Sequence, residues 1–287
     1  ESKLYKGGYQ VTMFEESAPH YDSKKTRIKG KIFTLGHDTT GNGKIDVEDL
    51  EWNYLEGDGD FRSDEIKKLR DESDIIITNP PFSLFREFLA WIIEADKQFV
   101  IIGNMNAITY KEVFPLIKGN KMWTGSRFNQ RVNGKNMTFS VPDDYDLSGT
   151  EVEVENGKKM ISVAGTGWYT NIDHGRRHQP LQLMTMADNI RFSKKFHGKD
   201  AYDRYDNYDA IEIPFTECIP SDYDGVMGVP ISFLHKHNPD QFEIIGATES
   251  EGRGFSEGLW DEKSKVSQPL VNGSRVYKRI FIKHKKK

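Results

Sequence analysis

Asp74-Ile75-Ile76-Ile77-Thr78-Asn79-Pro80-Pro81-Phe82-Ser83 decides how this chain is read. The first five residues form a short β-branched run, which predicts a strand buried on both faces. Ser83 then starts a helix that Leu84, Phe85, Phe88, Leu89, Trp91, Ile92 and Ile93 nearly encircle. Asn79-Pro80-Pro81-Phe82 thus stands between the end of a strand and the start of a helix. In open α/β sheets that is where ligands bind. Two adjacent prolines have no N–H and hold the backbone extended, yet keep their carbonyls as acceptors. The Asn79 amide adds one acceptor and two donors, and Phe82 adds a flat face. An acceptor pair beside an aromatic platform suits the exocyclic amine of a planar base. The plainer alternative is a Pro-Pro turn closing a strand, with Phe82 packed inside.

Working outward, Ser63 caps a helix over Asp64 to Asp71, and Phe99 to Gly103 reads as a second buried strand. Thr109 to Ile117 reads as a helix ending near Gly119, with Pro115 weakening its last turn. Helix alternating with strand indicates an α/β sheet with parallel strands. On the N-terminal side, Lys31 to Leu35 is a strand and Gly41-Asn42-Gly43 a turn. After Asn120 the pattern changes to short strands at Glu151 to Val154, Met160 to Val163, Gly167 to Asn171 and Leu181 to Met184. Further ones follow at Ala210 to Ile213, Pro230 to Leu234, Phe242 to Gly246 and Val276 to Ile282. They read as β hairpins added to the α/β core.

The 287 residues carry 29% charged and 36% hydrophobic side chains, with 17 Phe, 12 Tyr and 5 Trp. This is a folded, polar composition with room for one large or two ordinary domains. No apolar run reaches the roughly 18 residues of a membrane span. The single Cys218 excludes an internal disulfide and a four-cysteine zinc site, and no base partner for it is evident. With no secretory signal, the expected compartment is the cytoplasm. A start at Glu1 rather than Met leads us to expect missing upstream residues.

The net charge is -4, but the charges are segregated. No acid lies between Val113 and Pro142, which hold Lys118, Lys121, Arg127, Arg131 and Lys135. A second basic stretch runs from Arg191 to Lys199, and a third covers the tail from Ser274 to Lys287. Such segregation suits a polyanion, or else an ordinary solvated surface with a frayed tail.

Asn79-Pro80-Pro81-Phe82 resembles the catalytic motif of amino-methyltransferases that use S-adenosylmethionine. Two longer strings resemble adenine-specific DNA methyltransferases of the EcoRI modification-methylase type: Gly57-Asp58-Gly59-Asp60-Phe61-Arg62-Ser63, and Asp74 through Glu87. Ile101 to Asn104, Asn106 to Glu112, Trp168 to Asn171, Tyr223 to Pro230 and Asn238 to Glu243 extend the resemblance from about Leu55 to about Gly246. It implies a Rossmann-like core, S-adenosylmethionine as cofactor, double-stranded DNA as substrate and a flipped-out target adenine. Phe82 would stack on that base, while the Asn79 side chain and the Pro80 carbonyl accept hydrogen bonds from its amine. The Pro80-Pro81 pair would fix their geometry, with no metal. Asp58, Asp60 and Phe61 would lie at the cofactor, although the two acids also fit a helix N-terminal charge or a turn. Trp168 and Tyr169 would pack beside the base, although packing in the core is the more common place for such aromatics. Arg127, Arg131, Arg176 and Arg177 are candidates for phosphate contact.

One departure stands out. The strand, Gly-rich turn and helix that bind the cofactor in this family are not found in residues 1–54, so the core is expected to lack its N-terminal strands. The expected divisions are a β-rich segment over 1–54, a catalytic core over 55–185, and a β-rich target-recognition and basic region over 186–287. A partner restriction endonuclease is also a possibility.

Two other readings compete. The run from Asp38 to Asp49 resembles a calcium loop, which would make the chain a calcium-binding adhesion or carbohydrate module. Yet a strand precedes it where an EF-hand needs a helix, and an Asx-rich hairpin turn fits better. An RNA or protein amino-methyltransferase would also carry Asn-Pro-Pro-Phe. His174 and His178, four apart, lie in a loop where phosphate contact fits better than metal.

Overall fold

The structure is a computed structural model that describes residues 16–125, 131–132, 135–136, 138–142, 152–155, 157–162, 165–196, 198–248 and 268–286. The chain divides into two compact units. One comprises Glu1–Ile76 and Ser83–Lys97, the other Ile77–Phe82 and Gln98–Lys287.

In the first unit, β1 (Lys31–Thr34) and β2 (Glu51–Tyr54) form an antiparallel hairpin with Lys31 opposite Tyr54. Trp52 is buried there, its ring 4.3 Å from His20 and 5.1 Å from Tyr54. The hairpin loop is closed by its acids. Asp38 accepts the backbone N–H groups of Gly41, Asn42 and Gly43 at 2.6, 3.2 and 2.7 Å. Buried Asp49 accepts those of Thr39, Thr40 and Asp46, which pulls its carboxyl down to about 2. These carboxylates are spent on the turn itself, as the hairpin reading expects.

Helix α1 (Asp64–Glu72) starts at Ser63, whose hydroxyl accepts the Ile66 N–H at 3.3 Å. Helix α2 (Phe85–Glu94) follows a 3₁₀ turn over Phe82–Leu84. Phe61, Phe88 and Trp91 pack edge to face or tilted at 5.1 to 5.7 Å.

The central sheet contains β3 (Ile75–Thr78), β4 (Gln98–Asn104), β5 (Trp123–Thr124) and β6 (Thr166–Thr170), in the order β3-β4-β6-β5. A second four-stranded sheet contains β7 (Ile211–Glu212), β8 (Met227–Pro230), β9 (Phe242–Ala247) and β10 (Arg279–His284), in the order β7-β8-β10-β9. Thr138–Ser140, Val152–Glu155 and Lys158–Ser162 make a three-stranded sheet. Arg131–Val132 pairs with Lys135–Asn136, and Leu270–Val271 with Ser274–Arg275.

Several expectations are corrected. The run at Ile75–Thr78 is a strand, but it is not buried on both faces: Ile75 is 46% and Ile77 69% exposed. The sheet is not uniformly parallel, since β6 pairs antiparallel with both β4 and β5. Thr109–Ile117 is not one helix. A 3₁₀ turn covers Met105–Thr109, and α3 is confined to Phe114–Lys118 with Pro115 in its first turn, where a missing N–H costs nothing. Leu181–Met184 forms no strand. The Gln241 side chain takes the place of a neighbouring strand, accepting the Leu181 N–H at 2.8 Å and donating to its carbonyl at 3.0 Å. Pro230 ends β8, and Ile231–His235 is a 3₁₀ helix. Helix α4 (Met186–Phe192), capped by the Thr185 hydroxyl, was not foreseen.

Candidate active site

Asn79 leaves β3 directly and Phe82 enters the 3₁₀ turn directly, so the motif is a strand-to-helix corner. Pro80 is buried and Pro81 half-buried. A proline can be buried here without orphaning a donor, since it has no N–H. The two side chains with chemistry face outward. Asn79 is exposed, with no hydrogen-bond partner among the described residues, and Phe82 is 45% exposed. A packed Phe82 and a plain closing turn would have shown the reverse. The prolines anchor the corner, while the amide and the ring stand at its surface.

The other strings of interest fall into place locally. Ile101–Asn104 on β4 and Trp168–Thr170 on β6 are neighbours, with Trp168 opposite Ile102 and Tyr169 opposite Ile101, and Asn171 follows the end of β6. The Asn171 side chain accepts the Phe99 N–H at 2.8 Å, and the Thr170 hydroxyl donates to the Phe99 carbonyl at 2.6 Å. Trp168 is half-buried. Tyr169 is fully buried, and its hydroxyl donates to the Asn104 carbonyl at 2.9 Å. Burial raises its pKa. Tyr169 is therefore a core residue that ties β6 to the end of β4, and it offers no surface to a base.

In the first unit, the Gly57–Asp60 turn is held from both sides. Glu65 accepts the Glu56 and Gly57 N–H groups at 2.8 and 3.0 Å, which lowers its pKa. Gly30 meets the turn from the other side, donating to the Gly57 carbonyl at 2.9 Å. A Cβ on Gly30 would lie 2.9 Å from the Gly59 nitrogen, and Gly59 itself has φ +83°. Asp58 is exposed, and one of its oxygens accepts the Asp60 N–H at 3.1 Å. Asp60 is engaged by the Arg62 guanidinium at 2.9 and 2.6 Å, which raises the arginine pKa. Phe61 is half-buried against Phe88 and Trp91. Glu65, which sequence reasoning passed over, is visible only as an acid in the first turn of a helix.

The arginine candidates separate. Arg176 is exposed. Arg177 is buried, its guanidinium 3.6 Å above the Trp123 ring and bonded to Asp173 at 2.9 Å and to Asn120. Arg177 thus holds its own unit together and is withdrawn from phosphate. Arg127 lies outside the described residues. Arg131 begins a short strand, and its side chain lies outside the description. His178 bridges Asp240 at 2.8 Å and Asp173 at 2.9 Å, and both carboxylates raise its pKa.

A family model described as adenine-specific methyltransferase EcoRI matches residues 3–285 of the chain. The chain belongs to this family. Among relatives of this methyltransferase, the type II methyltransferase M.EcoRI of Escherichia coli is 47% identical over 277 residues, covering 96% of this chain and 77% of the relative. M.MgeORF184P of Mycoplasma genitalium is 37% identical, covering 80% of this chain and 70% of the relative. M.MpnI of Mycoplasma pneumoniae is 34% identical, covering 75% and 65%. No solved structure matches. The methyltransferase is specific for adenine in DNA and takes its methyl group from S-adenosylmethionine. No helix among the described residues is long and apolar enough to cross a membrane.

Proposed function

We propose that the Asn79–Phe82 corner is the base-binding centre of this adenine methyltransferase. The observation that carries the proposal is the outward Asn79 amide and half-exposed Phe82 on a proline-anchored corner. Asn79 Oδ1 accepts one N–H of the adenine amine, and the Pro80 carbonyl accepts the other. Drawing both protons into the plane of these acceptors turns the nitrogen lone pair toward the incoming methyl group. Phe82 stacks on the ring and offsets part of the cost of unstacking the base. The rate gain comes from orientation and fixed dipoles, with no covalent enzyme intermediate.

When bound, S-adenosylmethionine supplies the methyl group on a sulfonium. The Gly57–Asp60 turn fits such a cationic, hydroxyl-rich group in part. The exposed Asp58 carboxylate keeps an oxygen beyond its contact with the Asp60 N–H, and Phe61 presents a partly open ring. Asp60 is already matched by Arg62, so Asp58 is the acid we assign to the cofactor and Asp60 the one that shapes the turn.

The fold is read as a Rossmann-like core, 55–185, between a β-rich segment, 1–54, and a target-recognition region, 186–287. Trp168 is kept as a residue beside the base, and Arg127, Arg131 and Arg176 as phosphate contacts. The enzyme is of the type II, restriction–modification class. We place it in the cytoplasm, protecting DNA from a partner endonuclease. The test begins with transfer from labelled S-adenosylmethionine to duplex DNA, followed by mapping of the methylated adenines. Phe82→Ala should then lower kcat/KM on a mapped site roughly 5- to 100-fold, with Phe82→Trp retaining most activity. Equal activity of Phe82→Ala and the unmodified chain would refute the stacking role.

A further inference from the structure

We infer that the end of α4 and the segment after it form a second DNA-contacting ridge, separate from the base-binding corner. This rests on the DNA methyltransferase reading above. Residues 189–199 contain no acid, and Arg191, Lys194 and Lys195 are all exposed. No carboxylate lies within 4.0 Å of any of the three among the described residues. The acid that Lys195 does feel, Glu217, is claimed by Lys236 at 2.7 Å.

The cations alone would make an ordinary solvated surface. The aromatic rings beside them distinguish it. Phe192 closes α4 with 62% of its surface exposed, and the Arg191 guanidinium lies 5.0 Å from its ring centre. Phe215 is 42% exposed, with the Lys195 ammonium 4.0 Å above its ring. Each ring leaves apolar surface in water that burial would remove. Exposed rings interleaved with unpaired cations are the composition of surfaces that stack on bases or sugars while holding phosphates. The underside of the segment is fixed. Phe196 is buried with its ring 4.4 Å from Tyr202, and the Ser193 N–H bonds the Asn189 carbonyl at 3.0 Å. The ridge is thus presented on a rigid base, and its occupant is the duplex DNA substrate. The cations meet phosphates, and Phe192 lies against a sugar or an opened base step.

Binding of fluorescent duplex DNA by the full chain, measured against salt concentration, tests this. Replacing Arg191, Lys194 and Lys195 by Gln should reduce the slope of log affinity against log salt by about 2.7, and weaken binding at least roughly tenfold near physiological ionic strength. Phe192→Ala should weaken binding roughly 5- to 100-fold while leaving the slope unchanged, and Phe192→Tyr should restore it. All these side chains are exposed, so circular dichroism and melting should match the unmodified chain. An unchanged slope in the triple variant together with unchanged affinity in Phe192→Ala overturns the ridge. If the unmodified chain itself neither binds nor methylates DNA, the methyltransferase reading fails instead, which keeps the two failures apart.

Discussion

Glu212 and Arg279 form a nearly dry ion pair in the second sheet, and cutting it from either side should reveal strong coupling. Their side chains are 9% and 11% exposed, with Arg279 Nη2 2.5 Å from Glu212 Oε1 and Nε 3.1 Å from both oxygens. The Tyr205 hydroxyl donates to the other oxygen, Oε2, and is pushed up in pKa by burial and by that carboxylate. Gly228 makes room for this ring, because a Cβ there would lie 2.3 Å from the Tyr205 oxygen. Arg279→Met leaves a buried carboxylate with only Tyr205, which should cost about 3–5 kcal/mol. Glu212→Gln keeps the volume and an acceptor, and Arg279 retains the Tyr277 carbonyl at 3.0 Å, so it should cost about 1–3 kcal/mol. The double variant leaves no unpaired charge and should cost no more than Arg279→Met alone, a coupling at least as large as the Glu212→Gln cost of about 1–3 kcal/mol. Amide hydrogen exchange in β8 and β10, which these residues brace, reads the local opening free energy. If the two single costs add to within about 0.5 kcal/mol, the ion pair does not stabilise the sheet as described.

Gly30→Ala should destabilise the first unit by about 1–3 kcal/mol, because its Cβ would press on Gly59 backbone that cannot swing aside. It should also raise the KM for S-adenosylmethionine more than it lowers kcat; an unchanged melting temperature and KM would exclude this role. His178 has a pKa raised above 6.5 by Asp240 and Asp173, so its contribution to stability is complete below about pH 6.5 and is lost as pH rises through its folded value. Its imidazole resonances should titrate above those of a model histidine, and His178→Gln should abolish that part of the pH profile. Burial depresses His235 and His237 from 6.5 to about 4, the opposite case. Stability should be full above pH 6.5 and fall as pH drops toward 4, and replacing both histidines by Gln should flatten this limb of an acid-unfolding curve.

Local signals in the sequence were read well. Ser63 with two acids behind it marked α1, and the β-branched run with Asn79-Pro80-Pro81-Phe82 after it placed the candidate site at a strand end. What escaped was whatever depends on distant residues. Nothing near Arg177 reveals that Trp123, 54 positions earlier, takes its guanidinium away from DNA. Nothing in Leu181–Met184 shows that Gln241 replaces a strand partner. Apolar patterning is equally silent on which face of β3 is covered, so the exposure of Ile75 and Ile77 was not foreseeable. The extent of α3 was legible in principle. Pro115 is compatible with a first turn and with nothing later, and the longer helix ignored that constraint.

The central claim is that the Asn79 amide holds the adenine amine for attack. Single-turnover methyl transfer with saturating DNA and S-adenosylmethionine tests it most directly. Asn79→Ala should reduce the rate roughly 100- to 1000-fold, the usual loss for one preorganised dipole at a reacting centre. Because Asn79 is exposed and makes no hydrogen bond among the described residues, stability should barely change. Transfer by Asn79→Ala at the rate of the unmodified chain would contradict the account.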